Sequence, residues 1–357
     1  MKNSILAISI LFFRNAVVSQ PKVSIVPKPA NILIERGENN QYINFDFLVT
    51  NHTNDTLTIT KLMVSVFDNT NKLIHSRFLD NNGTAPSINL ISNRKFNSPS
   101  SHLIFNPFAD FSLTMPLSKL SYEWTFSDNN ENEIKITSVI TPQKYQQKET
   151  FKFPLKGKVL VYDSHDLYSH HRRFDYEFEP IKALGISSNF MRYAYDFVIL
   201  DINNKQFNSD GKKDEDYFGF GKGVYSIGTG KVIYASNNHK DDKSFDIPGI
   251  ANNPLELYGN CIAILHADKS VSIYGHLKQN SIKVKKGDAV QTQQLIGEIG
   301  VSGSSFFPHL HFELRTSIQN SAEGLPSYFS NVYLWEANLK SKLKSGLVET
   351  GNIIEAK

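Results

Sequence analysis

Cysteine is almost absent from this chain, because Cys261 is the only one among its 357 residues. A single thiol cannot form an intrachain disulfide, so a small scaffold held together by disulfides is excluded. Cys261 stands in the apolar run CIAIL at 261–265, which is typical of a buried strand, and we expect it to be a small core residue. A chain of this length can bury enough apolar surface to fold without crosslinks.

An excess of charge of one sign is also lacking. The chain has 38 Lys and Arg against 35 Asp and Glu, for a formal net charge of +3. Proteins that bind nucleic acid by electrostatic attraction usually carry a strong basic excess or a basic patch. We therefore expect no nucleic-acid partner.

Long hydrophobic runs are missing as well. The apolar stretch at 4–13 follows Lys2 and is much shorter than the roughly 20 residues of a membrane-spanning helix. Its position and length predict a signal peptide over residues 1–19 with cleavage before Gln20, the alternative being a buried terminal strand or helix. No later segment is apolar enough for a stable membrane span. We expect an exported protein of the periplasm, cell envelope or extracellular space.

Short strands dominate residues 20–140. Apolar residues alternate with polar ones in several segments, at Ile43, Phe45, Phe47 and Val49, at Leu62, Val64 and Val66, and at Tyr122, Trp124 and Phe126. Turn-forming clusters separate the segments at roughly ten-residue spacing, which predicts an immunoglobulin-like β-sandwich. With no catalytic cluster of residues, this module is expected to be a spacer or a binding module.

The remainder of the chain also has the pattern of a β protein. Residues 141–156 begin with a polar, proline-containing stretch that suits an interdomain linker. Residues 157–357 resume the strand pattern as glycine-punctuated hairpins, with a short helix expected over 331–342. The sequence therefore predicts an all-β chain of two domains.

The segment PHLHFEL at 308–314 is the first sign of chemistry. In a strand, His309 and His311 share one face while Leu310 and Phe312 point into the core. Two imidazoles about 7 Å apart can take different roles, one binding a metal and the other accepting or donating a proton.

Three further segments supply the partners that such a strand needs: RYAYDF at 192–197, GNCIAILH at 259–266 and SIYGHL at 272–277. A carboxylate and imidazoles from separate strands are what an open catalytic Zn²⁺ site requires, with about three protein ligands and a water. Zinc lowers the pKa of its water to roughly 7. Spare histidines can take the proton of that water and stabilise an oxyanion.

In these motifs the chain resembles the LytM/lysostaphin-type zinc peptidases of family M23. The resemblance covers roughly residues 157–314 and includes GxxGxSG at 297–303 besides the segments above. It implies a compact antiparallel β-sheet domain (the duplicated hybrid motif) with a groove, a bound Zn²⁺, and a peptidoglycan peptide as substrate.

The resemblance also implies roles for individual residues. Asp196 and His311 correspond to zinc ligands. His276 and His309 correspond to the two histidines that do not bind zinc; we favour His309 as general base and His276 as the group that steadies the oxyanion. His266 corresponds to a recurrent strand histidine and is expected to be structural.

One position departs from the family pattern. The family motif HxxxD places its first zinc ligand four residues before Asp196, where this chain has Arg192, and a guanidinium offers no lone pair to a metal. The missing ligand could come from His170 or His171 in an adjacent loop, or from Asn189 or a second water. Arg192 could itself pair with Asp196 or bind a carboxylate of the substrate.

Two functions follow from this departure. The first is a zinc metalloendopeptidase that hydrolyses peptide bonds in bacterial peptidoglycan. The alternative is a catalytically degenerate LytM-like domain that binds cell-wall peptide or activates another hydrolase. The joint presence of Asp196, His276, His309 and His311 favours the enzyme, because a domain without chemistry has no physical need for all four.

Overall fold

A computed structural model describes residues 21–356, so the signal peptide expected at 1–19 lies outside the described residues. The first unit is built from the strands β1 (Val23–Lys28), β2 (Leu33–Arg36), β3 (Asn40–Ile43), β4 (Asp46–Asn51), β5 (Leu57–Phe67), β6 (Leu73–Asp80), β7 (Lys95–Phe96), β8 (Ser100–Phe105), β9 (Asp110–Ser112), β10 (Lys119–Ser127), β11 (Glu133–Ile140) and β12 (Gln143–Lys144).

The first unit has a sandwich core. One sheet has the order β1-β4-β8 and another the order β11-β10-β5-β6. The ring of Phe47 on β4 lies 4.8 Å from Trp124 and 4.9 Å from Tyr122 on β10, measured between ring centroids. All three side chains are buried, so the alternating apolar residues of the two sheets pack face to face. The immunoglobulin-like strand arrangement stays a prediction.

The segment 141–156 lies against both units. β12 pairs in parallel with β2, placing Gln143 opposite Leu33 in a small third sheet. Further along, Phe151, Phe153 and Leu155 are buried in the hydrophobic core of the second unit. This segment, expected to be a polar linker, is therefore packed at both of its ends.

The second unit is built from the strands β13 (Gly157–Asp163), β14 (Tyr195–Ile199), β15 (Gly223–Tyr225), β16 (Gly230–Ser236), β17 (Cys261–Leu265), β18 (Val271–Gly275), β19 (Ala289–Val290), β20 (Leu295–Glu298), β21 (Leu310–Arg315), β22 (Gly324–Leu325), β23 (Val332–Glu336), β24 (Leu339–Lys342) and β25 (Ile353–Ala356). The predominance of strands in both units confirms the all-β class.

A long antiparallel sheet positions the chemistry-bearing residues. Its order is β19-β16-β17-β18-β21-β14-β13-β25-β23-β24, and β21 at its middle is buried along its whole length. The register places His311 of β21 opposite Asp196 of β14 on one side and opposite Gly275 of β18 on the other. Segments more than a hundred residues apart in sequence thus meet across neighbouring strands.

The helix expected over residues 331–342 is absent, and that prediction was wrong. β23 and β24 form a hairpin there, with Trp335 opposite Lys340. β23 also pairs with β25 along its other edge. Pairing on both edges, together with the β-favouring residues VYLW at 332–335, outweighs a helical pattern of only moderate strength.

Within the part of the chain that the structure describes, helical structure is confined to short pieces: α1 (Glu179–Lys182), α2 (Ile247–Asn252) and the 3-10 turns Ser87–Leu90, Asp214–Asp216 and Pro254–Tyr258. Between residues 21 and 356, no helix combines the length and the apolar character needed to cross a bilayer.

Candidate metal centre

Asp196 and His311 face one another across β14 and β21. The Nδ1 atom of His311 lies 3.1 Å from Oδ1 of Asp196, and both side chains are almost completely buried. Burial alone would raise the pKa of Asp196, but the neighbouring imidazoles of His171 and His309 outweigh it and hold that pKa well below the usual range. The carboxylate is therefore ionised and available to a cation.

His171 completes a trio with these two residues. Its Nε2 atom lies 3.4 Å from Oδ1 of Asp196, and its ring centroid lies 5.0 Å from that of His311. Its Nδ1–H donates to the carbonyl oxygen of Ser164 at 3.1 Å. This bond leaves the lone pair on Nε2, directed at Asp196, which is the tautomer a metal ligand needs.

His170 is also near but less well placed. Its Nε2 lies 3.7 Å from Oδ2 of Asp196, and its side chain is 65% exposed, whereas the side chain of His171 is 1% exposed. Its Nδ1 is bound to the carboxylate of Asp163 at 2.5 Å. Of the two histidines proposed as third ligand, His171 therefore fits the position better.

Asp163 is a member of this cluster that the sequence reasoning missed. It ends β13 opposite Asp196 in β14, and one ligand atom each from Asp163, His170, His171 and Asp196 lie within 4.8 Å of one another. Burial would raise the pKa of Asp163, but His170 and His171 lower it overall. A lone strand-end aspartate carries no sequence signal for this role, since only the register of β13 with β14 brings it here.

The distances from Asp196 to the imidazoles of His311 and His171 suit a zinc ion. Tetrahedral coordination with zinc–ligand distances near 2.0–2.1 Å separates neighbouring ligand atoms by about 3.3–3.4 Å. The distances from Oδ1 of Asp196 to Nδ1 of His311 and Nε2 of His171 are 3.1 and 3.4 Å. Moreover, Nε2 of His171 is a buried nitrogen with no hydrogen-bond partner, as expected for an atom whose partner is a metal.

His311 also lies beside an acidic and an aromatic side chain, and a basic side chain binds both of them. Its Nε2 faces the carboxylate of Glu313 at 3.5 Å, and its ring stacks on Tyr258 at 4.6 Å between centroids. Arg315 binds both carboxylate oxygens of Glu313 and donates to the hydroxyl of Tyr258. Although burial opposes it, the carboxylates of Asp196 and Glu313 raise the pKa of His311 to about 9 in the absence of a cation.

His309 and His276 stand beside this trio. Nε2 of His309 lies 3.4 Å from Oδ1 of Asp196, and the ring centroids of His276 and His309 are 4.9 Å apart. Each ring donates Nδ1–H to a backbone carbonyl, His309 to Phe307 at 2.7 Å and His276 to Ser302 at 2.8 Å. Both therefore present the lone pair of Nε2 toward the site when neutral.

Burial and the neighbouring rings keep His276 neutral. Desolvation lowers its pKa first, and the nearby His309 and His311 lower it further, well below the usual range. Its backbone has a positive φ of 57°, a sparsely populated conformation that persists only where the surroundings enforce it.

The GxxGxSG segment packs against the backbone around His276 and holds it in this conformation. A Cβ on Gly300 would lie 2.4 Å from the Cα of Lys278, and a Cβ on Gly303 would lie 2.4 Å from the backbone nitrogen of Gly259. Between them, the hydroxyl of Ser302 donates to the carbonyl of Leu277 at 2.7 Å. The motif thus lets two chain segments approach closely enough to seat the His276 loop.

Arg192 lies elsewhere, which corrects two expectations for it. Its guanidinium is completely buried and donates from Nη1 to Oδ2 of Asp46 in the first unit at 2.7 Å. It neither pairs with Asp196 nor lines the cavity described below. A fully buried side chain cannot contact a substrate carboxylate, so the assignment of Arg192 to substrate binding was wrong.

Asn189 is held through its amide nitrogen against the segment that carries His171. Its Nδ2 donates to the carbonyl oxygens of His171 and Arg172 at 3.0 and 3.2 Å. This amide therefore supports the backbone of the segment that carries His171, and Asn189 is not among the residues that line the cavity described below.

A single cavity joins these groups to solvent. It has a volume of about 630 Å³ and is lined by Tyr162, His170, His171, Phe174, Met191, Asp196, Leu257, Tyr258, His276, Ser304, Phe306, Phe307, His309 and His311. The side chain of Phe306 on its rim is 85% exposed. His266 lies outside this cavity, with its Nδ1 bonded to the carbonyl of Thr229 and its Nε2 to the hydroxyl of Ser272.

Parts of the chain are similar to known proteins. The family model described as Peptidase family M23 matches residues 216–323. That span contains His276, His309 and His311 but begins after Asp196 and His171.

Several curated proteins are similar to parts of the chain. Lipoprotein NlpD of Yersinia enterocolitica is 30% identical over 95 residues, which cover 27% of this chain and 78% of that protein. The NlpD/LppB homolog of Buchnera aphidicola subsp. Acyrthosiphon pisum is 32% identical over 138 residues, covering 38% of this chain and 34% of that protein. Cell division protein DipM of Caulobacter vibrioides is 34% identical over 65 residues, covering 18% of this chain and 10% of that protein. The chain thus spans about a third or less of the last two.

Solved structures give partial matches. The catalytic domain of lysostaphin from Staphylococcus simulans has 25% identity and a TM-score of 0.25, covering 37% of this chain and 74% of that chain. A zinc containing peptidase from Vibrio cholerae has 14% identity and a TM-score of 0.26, covering 86% of each chain. With the family model matched over residues 216–323 and 78% of the Yersinia lipoprotein matched at 30% identity, this chain belongs to peptidase family M23.

Proposed function

We propose that this chain is an exported zinc metalloendopeptidase that hydrolyses peptide bonds in bacterial peptidoglycan. The observation that carries the proposal is the meeting of Asp196, His171 and His311 with two further histidines in one cavity. Membership of a peptidase family supports the reaction class. Matches to a lipoprotein and to a cell division protein are consistent with a site of action in the cell envelope.

The zinc site in this proposal consists of Oδ1 of Asp196, Nδ1 of His311 and Nε2 of His171. A zinc ion held there would polarise the scissile carbonyl and lower the pKa of a water molecule. Ser164 fixes the tautomer of His171, and Glu313 faces the far nitrogen of His311. Such outer partners orient ligands and tune their basicity.

His309 is the proposed general base. Its Nε2 carries a lone pair, because Nδ1–H is committed to the carbonyl of Phe307, and it lies beside the carboxylate of Asp196. From there it accepts a proton from the attacking water and later delivers one to the leaving amine.

His276 is proposed to steady the developing oxyanion. Since its Nδ1–H is bound to the carbonyl of Ser302, the ring can donate from Nε2 only in its protonated form. Its low pKa keeps the resting ring neutral, and the proton of the attacking water goes to His309, so this donation requires the ring to take up a proton from solvent.

Digestion of purified sacculi tests the proposal. Wild-type protein is expected to release soluble peptide-containing fragments, and His309→Ala should slow the release by about 10²–10⁴-fold, the usual contribution of a general base. His75→Ala on β6 of the first unit is the control, because it removes an imidazole far from the cavity lining. An undiminished rate in His309→Ala would remove that residue from the mechanism.

The same experiment separates the enzyme from its rival. The arginine at position 192, where the family carries a ligand histidine, is the observation that favours a degenerate domain that binds cell-wall peptide or activates another hydrolase. Co-sedimentation with sacculi in the absence of any released fragment would favour that second function.

A further inference from the structure

Asp46 reaches the second unit from the edge of the first. It begins β4, where its neighbours Phe45 and Phe47 are buried in the aromatic core of the first unit. Side chains alternate along a strand, so the side chain of Asp46 points to the opposite face. There it is completely buried.

Two guanidinium groups of the second unit converge on this carboxylate. Nη1 of Arg192 donates to Oδ2 of Asp46 at 2.7 Å, and Nη1 of Arg172 donates to Oδ1. Nη2 of Arg172 also donates to the carbonyl oxygen of Phe45. Both arginines are fully buried, and a buried cation without its counter-charge is strongly unfavourable. The first unit therefore determines where Arg172 can sit.

Arg172 directly follows His171 in the chain. From the other side, the amide of Asn189 donates to the carbonyl oxygens of both His171 and Arg172. The backbone of this dipeptide is thus held between the first unit and a loop of the second. Its anchorage sets the direction in which the ring of His171 projects toward Asp196.

We propose that Asp46 is a positioning residue of the metal centre, which acts by fixing Arg172 and, through it, His171. Arg192 stands at the position of the family's ligand histidine. Its role in this proposal is to bind the same Asp46 carboxylate that holds Arg172, next to His171. The first unit is accordingly part of the scaffold of the site and more than a spacer. This inference rests on the zinc site proposed above.

A double-mutant cycle on zinc affinity tests the inference. Zinc affinity is measured by competition with a chromophoric chelator for the wild type, Asp46→Asn, His171→Ala and the double variant. If Asp46 acts through His171, Asp46→Asn should weaken zinc binding by about 10–100-fold in the wild type, the usual effect of losing an outer-shell partner, and by less than about 2-fold when His171 is already absent. Equal weakening in both backgrounds, or none in the wild type, would overturn it.

Two controls separate positioning from general loss of structure. Asp110→Asn removes a different Asp–Arg pair of the first unit, with Arg77, and should leave zinc affinity unchanged. Arg172→Lys retains the buried charge and tests the same anchor if Asp46→Asn fails to fold. A single ammonium cannot match the fork of a guanidinium, so a folded Arg172→Lys should bind zinc several-fold more weakly; wild-type affinity in that variant would contradict the proposal.

A second measurement needs no metal. In metal-free protein labelled with ¹⁵N-histidine, the Nδ1–H of His171 that donates to Ser164 should give a protected proton resonance, lost to exchange in Asp46→Asn but retained in Asp110→Asn. Persistence of that resonance in folded Asp46→Asn would overturn the positioning role even if the wild type bound no zinc. A wild type that binds no zinc would contradict the proposed function instead. Failure of the positioning role and failure of the proposed function are therefore distinguishable.

Discussion

At the scale of single residues, the site is a set of buried titratable side chains, and the protonation state of each depends on the groups around it. Asp196 is held ionised by adjacent imidazoles, whereas burial keeps His276 neutral. Groups pushed in opposite directions within one cavity are what acid–base chemistry requires. His171 and His309, which face Asp196, each donate Nδ1–H to a backbone carbonyl, so their tautomers follow from hydrogen bonding.

Glu323 provides a prediction at this scale. Burial raises its pKa to about 7, although Arg192, whose Nε lies 4.0 Å away, opposes the shift. A raised pKa means that the folded state holds the proton more tightly than the unfolded state. Folding stability should therefore fall as the pH rises from about 4.5 through 7, and the penalty should be fully present above 7.

The variant Glu323→Gln removes this titration. Relative to the wild type, it should gain stability between pH 5 and pH 8, by on the order of 1 kcal/mol because a side chain that is one-third exposed is screened by solvent. Urea unfolding at the two pH values measures the change, with the exposed Glu179→Gln as control. A constant difference between Glu323→Gln and the wild type at both pH values would refute the shift.

At the scale of elements, the strand register is what brings the site together. β14, β18 and β21 pair so that Asp196, His311 and Gly275 meet in one row. The tight approach of the GxxGxSG segment to the loops after β18 and before β17 then seats His276.

Gly303→Ala tests the role of that close approach. Gly303 has a positive φ of 74°, and a Cβ there would lie 2.4 Å from the backbone of Gly259. Gly287 also has a positive φ, of 101°, but a Cβ there meets nothing within 4 Å. Gly287→Ala should therefore lose about 1 kcal/mol from backbone strain, and Gly303→Ala about 3 kcal/mol or more.

Denaturant unfolding compares these two variants directly. Gly303→Ala should also hydrolyse sacculi more slowly than Gly287→Ala, because the shift of the backbone displaces His276. Equal stability losses in the two would show that the contact with Gly259 imposes no constraint.

Much of this element-level arrangement was predictable from the sequence, because alternation is a local property. The alternating residues from Phe45 to Phe47 and from Tyr122 to Trp124 are buried in the sandwich core. The choice of His171 over His170, Asn189 or a second water, and the contact of Asp46 with Arg192, were not predictable in the same way. They depend on which distant segments fold beside one another, and neither a pair of histidines nor a lone aspartate in a strand has a sequence signature.

The prediction of a short helix over 331–342 was wrong for a related reason. A local pattern was overridden by pairing of β23 with both β24 and β25, and no local signal reports such a tertiary contact.

At the scale of the whole molecule, the two units are joined by buried contacts between carboxylates of the first unit and basic side chains of the second. Besides the contacts of Asp46, Glu35 of the first unit binds Nε2 of His165 in the second at 3.0 Å, with both side chains buried. Separating the units would expose these groups without their partners. The first unit therefore contributes to the same rigid framework that carries the candidate ligands, which is the basis for the effect expected of Asp46→Asn.

Zinc content of the purified protein is the measurement that tests the central claim most directly. Elemental analysis after dialysis against metal-free buffer should find about one zinc per chain in the wild type and in His170→Ala, since the exposed His170 is not needed as a ligand. His171→Ala should retain little or none, because it removes the buried nitrogen that faces Asp196. A wild type without zinc, or a His171→Ala that keeps its full complement while His170→Ala loses it, would contradict the account.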